Sequence, residues 1–249
     1  MRYVVLIACL LNCFKIHAND NLVDVVNADY SKADSIVLNL KNNDFRDYGV
    51  LARFLSKDLT TQHEKLRVIF RWITENIAYK EGNKSDNPYV ILKTKKAVCI
   101  GYAVLLKKIC ESVGIECEVI PGFAKRSIDD FNRDFKKSDH AWNAVKLYGK
   151  WYLMDVTWAT CYYDEKKRKI IKDYDNTYFL TDPVYFSKKH LPEEEKWQLI
   201  ENPVSRKEFK KSFIYHSGFY ILNINNIEPQ NGIIRLKATD TLIVRIKSG

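Results

Sequence analysis

The chain has 249 residues, 46% of them hydrophobic, with nine Gly and six Pro, which is ample material for one globular core. Its formal net charge is +9. The Lys and Arg residues are scattered among acids without a nucleic-acid-binding motif, so the charge reads as solvated surface and no nucleic-acid partner is expected.

Residues 1–18 carry Arg2 near the start, then an apolar run over 3–11, and end on the small residue Ala18. The run is too short to span a bilayer, and it reads as a secretory signal peptide cleaved before Asn19. A lipid anchor at Cys13 is the lesser alternative, because Asn12 is a poor neighbour for one. No other stretch is long enough to cross a membrane, so a secreted, periplasmic or extracellular protein without an integral span is expected. Loss of Cys9 and Cys13 with the leader leaves Cys99, Cys110, Cys117 and Cys161. In an oxidising compartment Cys110 and Cys117 are candidates for a bridge. No CxxC pair or His cluster offers a metal site, since His63, His190 and His216 stand apart in the sequence.

After the leader, residues 35–40 read as a strand and 47–55 as a helix. Thr61-Gln62-His63-Glu64 is a capping box, whose hydroxyl and carboxylate each satisfy a free N–H at a helix start. Leu66, Ile69, Phe70, Ile73 and Ile77 follow at helical spacing, which predicts an amphipathic helix over 62–77. Trp72 lies off that stripe and is expected to pack against a neighbouring element. Residues 79–94, polar with Gly82 and Pro88, read as a loop. At Cys99 a second helical pattern begins (Tyr102, Leu105, Leu106, Ile109, Val113), and Gly114 closes it. The first N–H groups of a helix are unpaired and partly positive, so a thiol in that turn is biased toward the nucleophilic thiolate.

Residues 116–122 read as a strand ended by turn residues, followed by a polar connection up to His140. Asp139-His140-Ala141-Trp142-Asn143-Ala144-Val145 alternates as a strand, Tyr148-Gly149 signals a tight turn, and residues 151–158 alternate as a second strand. A two-residue loop sets Leu147 opposite Lys150, Trp142 opposite Asp155 and His140 opposite Thr157. His140 and Asp155 then share a face as diagonal neighbours, roughly 7–8 Å apart between backbones. A slip of one residue would place them on opposite faces. Cys as nucleophile, His as base and Asp as orienter of the ring is the arrangement of thiol acyl-transfer enzymes. Further on, residues 165–169 read as a basic hairpin tip.

Val98-Cys99-Ile100-Gly101-Tyr102-Ala103, His140-Ala141-Trp142-Asn143-Ala144-Val145 and Trp151-Tyr152-Leu153-Met154-Asp155-Val156-Thr157-Trp158 resemble the three catalytic motifs of the transglutaminase-like superfamily. Tyr178-Phe179-Leu180-Thr181-Asp182-Pro183, His190-Leu191-Pro192, Trp197-Gln198-Leu199 and Glu208-Phe209 are similar to its kyphoscoliosis-peptidase-like branch. The resemblance implies an α+β fold with a papain-like core, in which the helix bearing Cys99 packs on an antiparallel β-sheet bearing His140 and Asp155. It implies Cys99, His140 and Asp155 as the catalytic set, with no cofactor or metal. Its implied substrate is a protein or peptide amide, cleaved by water or cross-linked to an amine, with hydrolysis favoured by the branch. A non-catalytic protein-binding module on the same fold is the competing class. The expected organisation is a leader at 1–18, a catalytic domain at 19–213 and a short β extension at 214–249. The extension is far smaller than the ~100 residues of an immunoglobulin-type sandwich.

Overall fold

A computed structural model of the protein describes residues 24–41, 44–82, 85–164, 166–213, 221–222, 224–228 and 243–248. The expected leader at 1–18 and part of the expected β extension at 214–249 lie outside the described residues. The architecture is α+β, with helices packed on a four-stranded antiparallel sheet. The first helices are α1 (Ser31–Leu38), α2 (Tyr48–Ser56) and α3 (Gln62–Asn76). The capping box at the start of α3 forms as read: Thr61 accepts from the Glu64 N–H, and the Glu64 carboxylate reaches back to the Thr61 N–H. Trp72 is fully buried, in keeping with a packing role. The short parallel pair β1 (Ala78–Tyr79) and β2 (Lys96–Ala97) encloses α4 (Pro88–Thr94) and delivers the chain to α5 (Cys99–Glu111).

The sequence misreads two segments here. Residues 35–40 belong largely to α1, because Ala33 and Val37, one helical turn apart, both face the core. Asp34 on the same helix pairs with buried Arg67 of α3 at 2.7 Å. Within 79–94 the loop is interrupted by α4, where the Asn87 side chain accepts from the N–H groups of Tyr89 and Val90 and Pro88 takes the first helical position. A proline fits there because that N–H has no intrahelical partner to lose.

The central helix is α5. Tyr102, Leu105, Leu106 and Ile109 are fully buried, and it packs against α2, α3 and α4 as well as against β3 (Glu116–Ala124) and β4 (His140–Leu147). The sheet runs in the order β5 (Lys150–Met154), β4, β3, β8 (His190–Pro192). Pro121 and Gly122 do not end β3. The strand continues to Ala124, and Gly122 pairs with His140 on one side and Pro192 on the other.

The β4–β5 turn forms as expected, with Leu147 opposite Lys150. Tyr148 (φ 50°) and Gly149 (φ 83°) are both left-handed, as a turn matching the twist of the strands requires. The Tyr148 hydroxyl lies 2.9 Å from His63 Nδ1, and its N–H donates to Gln62 Oε1, tying the turn to the start of α3. The ladder, however, stops at Asn143–Met154. Asp155 leaves the sheet to cap α6 (Val156–Thr160), so the expected pairs Trp142–Asp155 and His140–Thr157 do not form. Beyond α6 come the hairpin β6 (Cys161–Asp164) and β7 (Lys169–Lys172), then α7 (Pro183–Ser187), and after β8 the helix α8 (Arg206–Lys211). In the C-terminal extension β9 (Ile224–Glu228) pairs antiparallel with β10 (Arg245–Ser248), and the Tyr185 hydroxyl donates to Ile224 O at 2.7 Å. No helix among the described residues is long and apolar enough to cross a membrane.

Candidate active site

Cys99 is the first residue of α5, preceded by the extended Val98 with no side-chain cap, and it is half-buried. Its thiol is set beside His140 and the Ala141 N–H, both of which favour its ionised form. Burial pushes the thiol's pKa up and Asp155 acts the same way. The hydrogen bond and charge of His140, with the Ala141 N–H, outweigh both and hold it below the ordinary thiol range.

His140 opens β4 and is buried. Its Nε2 donates to Asp155 Oδ2 at 2.6 Å, which leaves Nδ1 as the nitrogen for the thiol. Burial works to lower the pKa of this ring, but the charge and hydrogen bond of Asp155, with Cys99, raise it to about 9. The imidazole is therefore a cation at neutral pH, set between a carboxylate and a thiol.

Asp155 is fully buried and accepts four hydrogen bonds. Oδ1 takes the N–H groups of Thr157 and Trp158 at 2.9 and 3.0 Å, as an N-cap of α6. Oδ2 takes His140 Nε2 at 2.6 Å and His190 Nε2 at 3.0 Å. Burial alone would raise this carboxyl's pKa, yet the two imidazoles hold it well below the usual carboxylate range.

His190, read from sequence as standing alone, is thus part of the cluster. The β3–β8 pairing of Ala124 with His190 brings it there. The available signal was its place in His190-Leu191-Pro192, a motif otherwise used only to identify the branch. The ligand atoms of His140, Asp155 and His190 lie within 4.8 Å of one another, close enough to hold a metal ion. Both nitrogens meet one carboxylate oxygen at hydrogen-bond distance, however, which is the geometry of a proton-bridged cluster. Aromatic rings enclose it: Trp158 stacks on His140 with centroids 5.1 Å apart, and Phe186 on His190 at 3.9 Å.

Cys99 and His140 open on a cleft of about 1240 Å³. One wall is the β6–β7 hairpin, which presents Tyr163 and Ile170, paired across the hairpin and both exposed. Another is the polar connection before β4. It is a packed wall: Asp130 and Phe135 are buried, and Asp139 pairs with Arg126 at 3.1 Å and Arg133 at 2.7 Å. Cys110, Cys117 and Cys161 are buried free thiols, so the bridge considered for Cys110 and Cys117 is not formed. Cys161 lines the cleft with its pKa pushed up to about 12, chiefly by burial.

Residues 50–156 match the family model of the transglutaminase-like superfamily. Kyphoscoliosis peptidase of Mus musculus is 35% identical over 192 residues, which cover 72% of this chain and 29% of that protein. Kyphoscoliosis peptidase of Homo sapiens is 34% identical over 201 residues, covering 76% of this chain and 30% of that protein. The chain thus spans under a third of the length of these two relatives. A solved structure described as a TGase is 13% identical with a TM-score of 0.35, covering 63% of this chain and 40% of that chain.

Proposed function

The chain belongs to the transglutaminase-like superfamily, in its kyphoscoliosis-peptidase-like branch, and on that premise we propose that it is a thiol acyl-transfer enzyme acting on protein or peptide amides. The observation that carries this reading is the His140 ring, bound through Nε2 to Asp155 and leaving Nδ1 for the Cys99 thiol. The Cys99 thiolate attacks the amide carbonyl, and N–H groups at the start of α5 meet the developing oxyanion. The C–N bond breaks as His140 gives its Nδ1 proton to the leaving amine. Neutral His140 then takes a proton from water, whose oxygen attacks the thioester. Collapse of that adduct releases the acid and restores the thiolate–imidazolium pair.

The test is the pH dependence of Cys99 alkylation by iodoacetamide, located by mass spectrometry. A free thiol has a pKa near 8.5. Below pH 7 Cys99 is expected to react at least about tenfold faster than such a thiol. An ordinary free-thiol profile, or alkylation centred on Cys110, Cys117 or Cys161, would overturn the assignment. Turnover should fall as pH rises through about 9, because His140 then loses the proton it gives to the leaving amine.

We also propose that the protein is exported, a reading supported by the composition of residues 1–18. N-terminal sequencing of the exported protein is expected to begin at Asn19. Retention of Met1 on cytoplasmic protein would refute export, and a lipid-modified Cys13 would replace cleavage before Asn19.

A further inference from the structure

We propose that His190 is a positioning residue, whose Nε2–H holds Asp155 Oδ2 in the one orientation that serves His140. The inference rests on the reading of Cys99 and His140 as the reacting pair. An N-cap carboxylate needs one oxygen for the helix start, and here Oδ1 takes both N–H groups of α6. The second oxygen is free to serve other donors, and it meets two imidazoles. Their rings lie 5.6 Å apart, so two positive charges on them would repel strongly. His140, which also touches the thiol, keeps the proton. His190 is held neutral, its pKa lowered to about 4 chiefly by burial.

A carboxylate only accepts, so the neutral His190 ring must carry its hydrogen on Nε2. Its Nδ1 then has a bare lone pair, and among the described residues that buried atom has no hydrogen-bond partner. The ring is fixed for a single contact, stacked on Phe186 and set edge-on to Trp142. His140 changes charge during turnover and its grip on Asp155 changes with it. The His190 bond is the one that persists through the cycle.

The other titratable groups facing the cluster are Cys99 on α5, Cys161 on β6, Tyr178 and Asp175 ahead of α7, and Lys189 next to His190. Burial raises Tyr178 and Cys161, and Lys189 is lowered only to about 8. None of those three changes charge on the acid side of neutrality, where thiolate formation is read.

The experiment compares the alkylation rate of Cys99 by iodoacetamide from pH 4 to 9 in the wild type, His190→Gln, His190→Asn and His190→Leu, with circular dichroism for folding. A glutamine amide reaches the place of Nε2, whereas an asparagine amide falls short of it. His190→Asn and His190→Leu are expected to move the half-maximal pH up by about one unit, about tenfold less thiolate on the acid side. His190→Gln is expected to recover most of that shift. If the leucine variant does not fold, the two amide variants carry the comparison alone. Unshifted profiles in folded His190→Asn and His190→Leu, or a glutamine variant as shifted as the asparagine one, would overturn the role of His190 alone. An ordinary free-thiol profile in the wild type would overturn the acyl-transfer reading and this inference with it.

Discussion

Replacing Asp155 with Asn is expected to lower amide turnover by about 10³-fold, and replacing His140 with Ala to abolish it. The change at Asp155 is isosteric but cannot be absorbed. All four hydrogen bonds at this side chain are accepted from donors: two backbone N–H groups at Oδ1 and two imidazole Nε2–H groups at Oδ2. An amide offers one oxygen and one NH₂. With its NH₂ toward the helix start it opposes the two buried N–H groups. With its NH₂ toward the rings it forces both imidazoles to accept at Nε2, which puts the His140 hydrogen on Nδ1, the wrong tautomer for a base toward the thiol. Each unmet buried polar group costs about 1–3 kcal/mol, so the variant should also lose stability. Turnover suffers because the carboxylate is what raises the His140 pKa. Without its charge, burial lowers the ring's pKa against the opposing effect of Cys99 alone. The thiolate then loses its cation at neutral pH. In a serine-protease triad the corresponding change costs ~10⁴. A thiol held at a helix start is more easily ionised than a serine, which sets the smaller loss expected here. The measurement is kcat/KM against pH for both variants, with folding checked by circular dichroism. A folded Asp155→Asn enzyme with wild-type turnover and a basic limb still near pH 9 would remove Asp155 from the mechanism.

Gly122→Ala is expected to destabilise the fold by about 3 kcal/mol or more. Gly122 sits in the central strand, paired with His140 of β4 and Pro192 of β8. A Cβ there would lie 2.3 Å from Trp142 Cη2 and 2.4 Å from the Leu191 carbonyl oxygen. One obstacle is a buried ring and the other is backbone, so neither can swing aside. Relief requires β4 and β8 to move away from β3, and those strands carry His140 and His190. The variant should therefore lose Cys99 reactivity together with stability. Urea unfolding, followed alongside the rate of Cys99 alkylation, checks both. An unchanged midpoint would mean that the sheet opens there at little cost.

The parts legible in the sequence were those in which one local pattern decides the structure. The α3 helix announced itself by a capping box and an apolar stripe, and α5 by a long helical period closed at Gly114. The β4–β5 turn followed from two residues between alternating runs, although its first residue is an unusual tyrosine. Errors arose where competing patterns overlap. Residues 35–40 alternate well enough to pass for a strand, and only the burial of Ala33 and Val37 on one face reveals the helix. Around Asp155 the alternation through Trp158 hides a helix cap, because aspartate on a strand and aspartate before a helix look alike without neighbours. The sequence nevertheless put Asp155 near His140, since an N-cap at the end of β5 occupies much the same place as the next strand residue. His190 was missed as a site residue for a different reason. Its approach to Asp155 depends on β8 pairing with the far edge of β3, a long-range match that no local spacing encodes.

The cluster draws its members from positions 99, 140, 155 and 190, in that order along the chain. A growing polypeptide exposes the thiol first, when neither imidazole nor carboxylate has been made. Until β4 pairs with β3 and α6 forms, Cys99 lacks the partners that lower its pKa. Full activation of the thiol is therefore a product of completed folding, because copies in which β4 and α6 have not yet docked hold the sulfur without its imidazole and carboxylate partners.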